Sequence, residues 1–288
     1  MINDRLSVLS FNVGLMRISA FGICVNEPTP FVDERLKAMS GALRSTEADI
    51  VVLQEIYEDA HKRRLAEELA DQYPHHAWAS DGGWVRFSNG LMLLSRFPLD
   101  ETRFTRYYDA PLDEHVLTSK GFLRSRVHTP FGHIRLFNTH TVAGGIGHPE
   151  HIRCEQARTK QFAQLCDAIR EDEDSLTLAV GDFNAGPEAS PHNYEMLLAY
   201  GLIDAYTAAD HRSGPLVTWD PQNPLNINGP HKMCPAQRID HVMLTPGAAK
   251  KLHVETADVL LHQATVPVRT RAVTPSDHYA FRVRLAGR

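Results

Sequence analysis

Six β-type runs, spread along the whole chain, each carry a carboxylate, carboxamide or imidazole at or near one end. They are RLSVLSFNVG, reaching Asn12; DIVVLQEIY, running through Val51, Val52 and Leu53 to Glu55; HIRLFNTHT, with Asn138 and His140; LAVGDFNAGP, with Asp182 and Asn184; QRIDHVML, with Asp240; and SDHYAFRVRL, opening on Asp277 and His278. A lone Asn or His at a strand end is ordinarily a turn residue. Six such strands call for an architecture that delivers polar groups to one sheet edge, where they can converge in a cleft. In an extended chain, residues two apart share a face, so Asp182 and Asn184 are expected to point together while Phe183 turns inward. An Asx-type turn is the alternative that the same residues allow.

Between the strands, amphipathic patterns predict helices over 33–48, 58–71 and 150–170. SPHNYEMLLAYG predicts a fourth helix, with Ser190 as N-cap, Pro191 at its first position and Gly201 past its end. The hairpin signals SNG and TPFGH make several neighbouring strands antiparallel. The expected class is therefore α/β, with sheet cores covered by outer helices. No repeat, low-complexity run or Gly/Ser linker divides the 288 residues, so 1–288 is expected to form one catalytic domain.

A formal net charge of −5 supplies no global basic field, and the arginines are scattered, so nucleic acid is the less favoured partner. Cys24, Cys154, Cys166 and Cys234 have neither zinc-type spacing nor the density of a disulfide scaffold, and are expected to be buried thiols in a reducing compartment. The first residues enter a strand directly, without a signal-peptide pattern, and no run is long enough for a membrane helix. The expectation is a cytoplasmic chain without a transmembrane segment. His148 and His151, GGIG and HKRRLAEEL fit loop and solvated-helix roles better than a metal pair, a dinucleotide fingerprint or a nucleic-acid patch.

The ordered set FNVG, LQE, NGLMLLSRFPL, NTH, GDFNA, RIDH and SDH resembles the endonuclease/exonuclease/phosphatase superfamily of metal-dependent phosphoesterases, and runs from Asn12 to His278. GDFN or SDH alone is weak; seven motifs in the family's order are specific. The resemblance implies a four-layer α/β/β/α sandwich, two packed mixed sheets with outer helices, and a site at one end. SKGFL with Lys120 and Gly121, LVTWDPQNPLN with Trp219, and HIRCEQARTKQ are similar to the neutral sphingomyelinase branch. His241 stands where the family usually has Tyr. No run in these 288 residues is expected to correspond to the membrane tail of some animal members or to the long apolar hairpin of secreted bacterial members.

Hydrolysis of an anionic diester needs a cation to neutralise charge and a water placed for in-line attack. Hard oxygen donors favour Mg²⁺, with Mn²⁺ as the alternative, and Glu55 is the expected main ligand. Asp277 is expected near the metal or holding the strand end. The resemblance implies that Asn12 supplies a neutral oxygen or orients the phosphate. Asp182 is expected to orient or deprotonate the water, and Asn184 to donate to a non-bridging phosphate oxygen. His278, held by Asp240, would bond the phosphate or exchange a proton, and His140 would be a second donor. Asn138, Lys120 and Trp219 are assigned to substrate binding, with Trp84, Tyr107 and Tyr108 as further choline contacts. The expected substrate is a phosphodiester, a choline phospholipid at a membrane surface, releasing phosphocholine. A nuclease, a phosphoinositide phosphatase and a catalytically dead binding module are the alternatives.

Overall fold

The computed structural model describes residues 5–20, 23–80, 88–109, 119–171, 176–229 and 231–288. Short runs, the central ones aliphatic and buried on both faces, become strands β1 (Arg5–Asn12), β2 (Ile18–Ala20), β3 (Ile23–Asn26), β4 (Ile50–Gln54), β5 (His75–Ala77), β6 (Met92–Ser95), β7 (Leu99–Arg106), β8 (Gly121–Thr129) and β9 (Gly132–His140). The later ones are β10 (Thr177–Asp182), β11 (Ile203–Asp204), β12 (His211–Ser213), β13 (Asp240–Leu244), β14 (Leu252–Leu260), β15 (Val266–Val268), β16 (Arg271–Val273) and β17 (Ala280–Gly287).

Two mixed sheets dominate, ordered β12-β14-β17-β1-β4-β6-β5 and β11-β13-β10-β9-β8-β7. Their facing sides share one core: Leu6, Val8, Ile50 and Val52 from the first sheet meet Ile134, Leu136, Leu178, Val180 and Val242 from the second. The outer side of the first sheet, through Leu9, Phe11, Val51 and Leu53, packs on helices Val32–Ser45 and Asp59–Glu68. The outer side of the second, through Phe137, Ala179 and Met243, packs on helices His151–Arg170 and Pro191–Ala199. Four layers follow, helix, sheet, sheet and helix, as the resemblance implied.

The helices fall where periodicity placed them, within one residue at their starts and up to three residues short at their ends. The first stops at Ser45, because Thr46 turns its hydroxyl onto Leu43 O at 2.7 Å and Glu47 takes φ 52°. Ser190 does precede Pro191, but its hydroxyl faces Glu155 Oε2 at 2.9 Å instead of capping a helix N–H. TPFGH forms the β8–β9 hairpin. Among the described residues, no helix is long and apolar enough to cross a membrane.

Asn138 corrects one expectation. It lies on the inner face of β9, fully buried, where its amide donates to Leu53 O at 3.0 Å and Met92 O at 3.2 Å and its oxygen accepts from Gln54 Nε2 at 2.9 Å. All three partners belong to the other sheet, so Asn138 staples the sandwich and does not reach substrate. Asn138→Ala would strand these buried groups and is expected to destabilise by on the order of 3 kcal/mol. Urea melts should show a lower midpoint with an unchanged slope.

Candidate active site

Strand alternation explains why the polar side chains meet. Leu178 and Val180 face the inner core, so Asp182, two further on, faces the same way. Identical counting places Asn12 after Leu6 and Val8, His140 after Ile134 and Leu136, and Asp240 before Val242 and Leu244. Register then aligns them, since Asp182 pairs with His140 on one side and Asp240 on the other. Asn12 pairs with Gln54, immediately before Glu55.

Two site residues occupy left-handed backbone conformations, Glu55 at φ 60° and Asn184 at φ 47°. Such conformations cost roughly 1–3 kcal/mol each for residues other than Gly and persist where the surroundings enforce them. Asn184 is thus not extended. Its N–H donates to Asp182 Oδ1 at 2.9 Å, and its amide donates to Thr141 O at 3.1 Å. The DFN segment is an Asx turn, and both its polar side chains still line the cleft.

The contacts form a continuous network. Asn12 Nδ2 lies 2.9 Å from Asp182 Oδ2 and 3.2 Å from Glu55 Oε1, while its oxygen accepts from Gly14 N–H. Asn12 therefore holds two carboxylates in place, and its oxygen is not turned toward the cleft as a metal ligand. His278 Nδ1 meets Asp240 Oδ2 at 2.9 Å, leaving Nε2 3.9 Å from Asp182 Oδ2. His140 Nε2 stands 3.5 Å from Asp182 and 3.1 Å from Lys120 Nζ, and Lys120 also donates to Thr141 O at 2.7 Å.

Electrostatics follow from this crowding. Burial and the neighbouring Asp277 push the Glu55 carboxyl up to about 7 against the pull of Lys120 and His278. Burial and Asp240 push Asp182 up to about 6. Burial disfavours a charged His278, yet Asp240, Asp182 and Asp277 overcome it and raise the imidazole to about 10. His140 is held well below the usual range by burial, Lys120 and His278.

These side chains line a cleft of about 300 Å³ that also includes Trp219, Tyr57, Met16, Ile18, Leu225 and His231. The donor chemistry fits a hard divalent cation at Glu55 and Asp277, two carboxylates facing one cleft and repelling one another. Gly14 makes the room, since a Cβ there would lie 2.3 Å from Asp277 Oδ1. Asp182, Asp240 and His278 also bring ligand atoms within 4.8 Å of one another. There, however, His278 Nδ1 is committed to Asp240, an arrangement suited to holding a proton.

The structure thus brings together Glu55, Lys120, His140, Asp182, Asn184, Trp219, Asp240, Asp277 and His278, with Asn12 beneath them. Tyr107 does not join them: it is buried on the outer face, its hydroxyl 2.6 Å from Thr139 Oγ1. Tyr108 is exposed and also outside the cleft lining, and Trp84 lies outside the described residues.

Sequence reasoning missed the supports. Arg35, fully buried, donates to the carbonyls of Pro30, Val13, Thr29 and Pro275, tying the loops around Gly14 and Asp277. Burial lowers its guanidinium to about 10. Arg158 likewise clamps Val142 O and Gly144 O. Their signal was an Arg on an otherwise apolar helix face, as in Val32, Arg35, Leu36 and Met39.

His241, the departure from the family pattern, is accommodated on the outer face of β13. Arg238 Nη1 donates to its Nδ1 at 2.8 Å, so Nε2–H donates to Ala185 O at 2.8 Å. Arg238 also meets buried Asp204 at 2.7 Å. Burial opposes charge on Asp204, but the Arg238 guanidinium and the Tyr194 hydroxyl, both bonded to Oδ2, outweigh it and hold its carboxyl below the usual range. A depressed carboxylate stabilises the fold above its unfolded-state value near ~3.9, and that stabilisation fades as pH falls through and below it. Asp204→Asn should cost about 3–5 kcal/mol at pH 7. In urea melts the loss should shrink as pH is lowered from 5 to 3.

Comparison with known proteins gives the same architecture. The model of the Endonuclease/Exonuclease/phosphatase family matches residues 9–278. Inositol phosphosphingolipids phospholipase C of Schizosaccharomyces pombe is 30% identical over 215 residues, covering 69% of this chain and 45% of that protein. The chain spans less than half the length of the first curated relatives it matches. Among solved structures, sphingomyelinase C from Streptomyces griseocarneus superposes with a TM-score of 0.76 at 22% identity, covering 97% of this chain and 99% of that one. A beta toxin variant from Staphylococcus aureus with bound magnesium ions gives 0.75 at 17% identity, covering 96% and 98%.

Proposed function

From its membership of the endonuclease/exonuclease/phosphatase family, we propose that this chain is a divalent-cation-dependent phosphodiesterase of sphingomyelinase-like type, releasing phosphocholine from a choline lipid. The observation that carries the reading is the placement, in one cleft, of Asp182 and His278 beside the Glu55 and Asp277 carboxylates, with His278 held from behind by buried Asp240.

Glu55 and Asp277 would hold Mg²⁺, which when bound neutralises charge on the diester. The chain's own groups do the rest. Asp182, fixed by Asn12 and by the Asn184 N–H, orients a water and accepts its proton. His278 donates from Nε2 to a phosphoryl oxygen, its ring orientation set by Asp240. The second N–H of the Asn184 amide and the Lys120 ammonium, which is oriented by its bond to His140 Nε2, add donors where negative charge grows. Trp219 and Tyr57, which both line the cleft, would be the aromatic contacts of a quaternary ammonium.

The headgroup is tested by phosphorus NMR on sphingomyelin vesicles. A phosphocholine resonance that grows with Mg²⁺ is expected. Turnover of soluble diesters with no phosphocholine would keep the chemistry and overturn the headgroup.

A further inference from the structure

Isolated exposed apolar side chains are ordinary on a protein surface. Here several cluster around the mouth of the cleft. Ile146 (42% exposed), Ile227 (49%) and Met233 (78%) each sit one residue from a cleft-lining residue, respectively Gly145, Asn226 and Cys234. Their loops touch: a Cβ on Gly147 would lie 2.9 Å from Met233 O, and the His148 and His231 rings are 5.2 Å apart. Val25, 66% exposed on β3, flanks the mouth through its partner strand β2, whose Ile18 lines the cleft. The apolar character continues inward through Met16, Leu225, Trp219 and Ile239.

We propose that this rim docks on a phospholipid surface, so that a lipid passes from the bilayer into the cleft without its apolar part crossing water. The choice of occupant rests on two features. The rim is continuous with an apolar-lined cleft that also carries the phosphate-handling groups. Lys232, exposed beside Met233 and without an ion-pair partner among the described residues, is placed to meet lipid phosphate. The identity of the lipid entering the cleft rests on the phosphodiesterase reading; the docking surface itself does not.

The test is cosedimentation with sphingomyelin and phosphatidylcholine vesicles, in a His278→Ala background that removes turnover. Ile227→Ser with Met233→Ser should weaken binding by roughly tenfold or more, as expected from removing two apolar side chains from an interface. The thermal melt should be unchanged. Leu198→Ser, an exposed apolar residue on the Pro191–Ala199 helix near its far end, should bind as the parent does. Parent-like binding by the double variant, or no vesicle binding by the parent, would overturn the proposal. Rim-dependent binding by a protein that hydrolyses no diester would leave the surface standing and remove the phosphodiesterase reading.

Discussion

His278→Ala is expected to lower turnover of a soluble phosphodiester by ~100-fold to ~10,000-fold, the usual range for a positioned general acid or base. The expectation rests on geometry. Asp240 anchors Nδ1 at 2.9 Å, which leaves Nε2 facing the cleft beside Asp182, and among the described residues no second imidazole is held in this way by Asp240. His140 cannot take over, because its Nε2 is occupied by Lys120 at 3.1 Å. Asp240→Asn provides a partial version of the same loss. It keeps the shape and removes the charge that favours imidazolium, so its pH profile should shift even where its fold does not. The check is kcat measured alongside circular dichroism and a thermal melt; a variant that melts like the parent and keeps full activity would remove His278 from the mechanism.

Glu55→Gln is expected to produce the second large effect, a requirement for at least ~10-fold to ~100-fold more cation for half-maximal activity. That range is typical for residues supporting a metal site and is a lower bound for a direct ligand. The substitution keeps the side chain's size and its hydrogen bond with Asn12. It also relieves the repulsion between Glu55 and Asp277. The cation-free protein should therefore melt no lower than the parent, as when a functional site is held at some expense of stability. A titration of activity against Mg²⁺, with melting curves in EDTA, separates the two effects. An unchanged cation dependence would move the ligand role away from Glu55.

Much of the fold and part of the site were legible because strand alternation is a strong constraint. The sequence shows six strands ending in polar groups that can meet at one sheet edge; counting by two from the core residues of β1, β9, β10 and β13 explains why Asn12, His140, Asp182 and Asp240 share the inner faces. The same count says nothing about depth. Asn138 shares its face with His140 but sits two residues, roughly 7 Å, further in. At that depth the facing sheet supplies all its partners, and no substrate reaches it. Asn184 shows the other limit, since the strand ends at Asp182 and a left-handed turn replaces the extended geometry that alternation assumes. Arg35 and Arg158 stand on apolar helix faces, but what they hold is not visible until the loops are in place. Their partners are carbonyls, some from segments distant in the sequence.

The geometry of the cleft predicts cation-dependent cleavage of a phosphodiester. Its most direct test is release of nitrophenol from bis-p-nitrophenyl phosphate, run with Mg²⁺, with Mn²⁺ and with EDTA, on the parent and on Asp182→Ala. Turnover that requires the cation, is abolished by EDTA and falls by at least ~100-fold in the variant is the predicted result. Equal rates with cation and EDTA, or an Asp182→Ala protein as active as the parent, would contradict it.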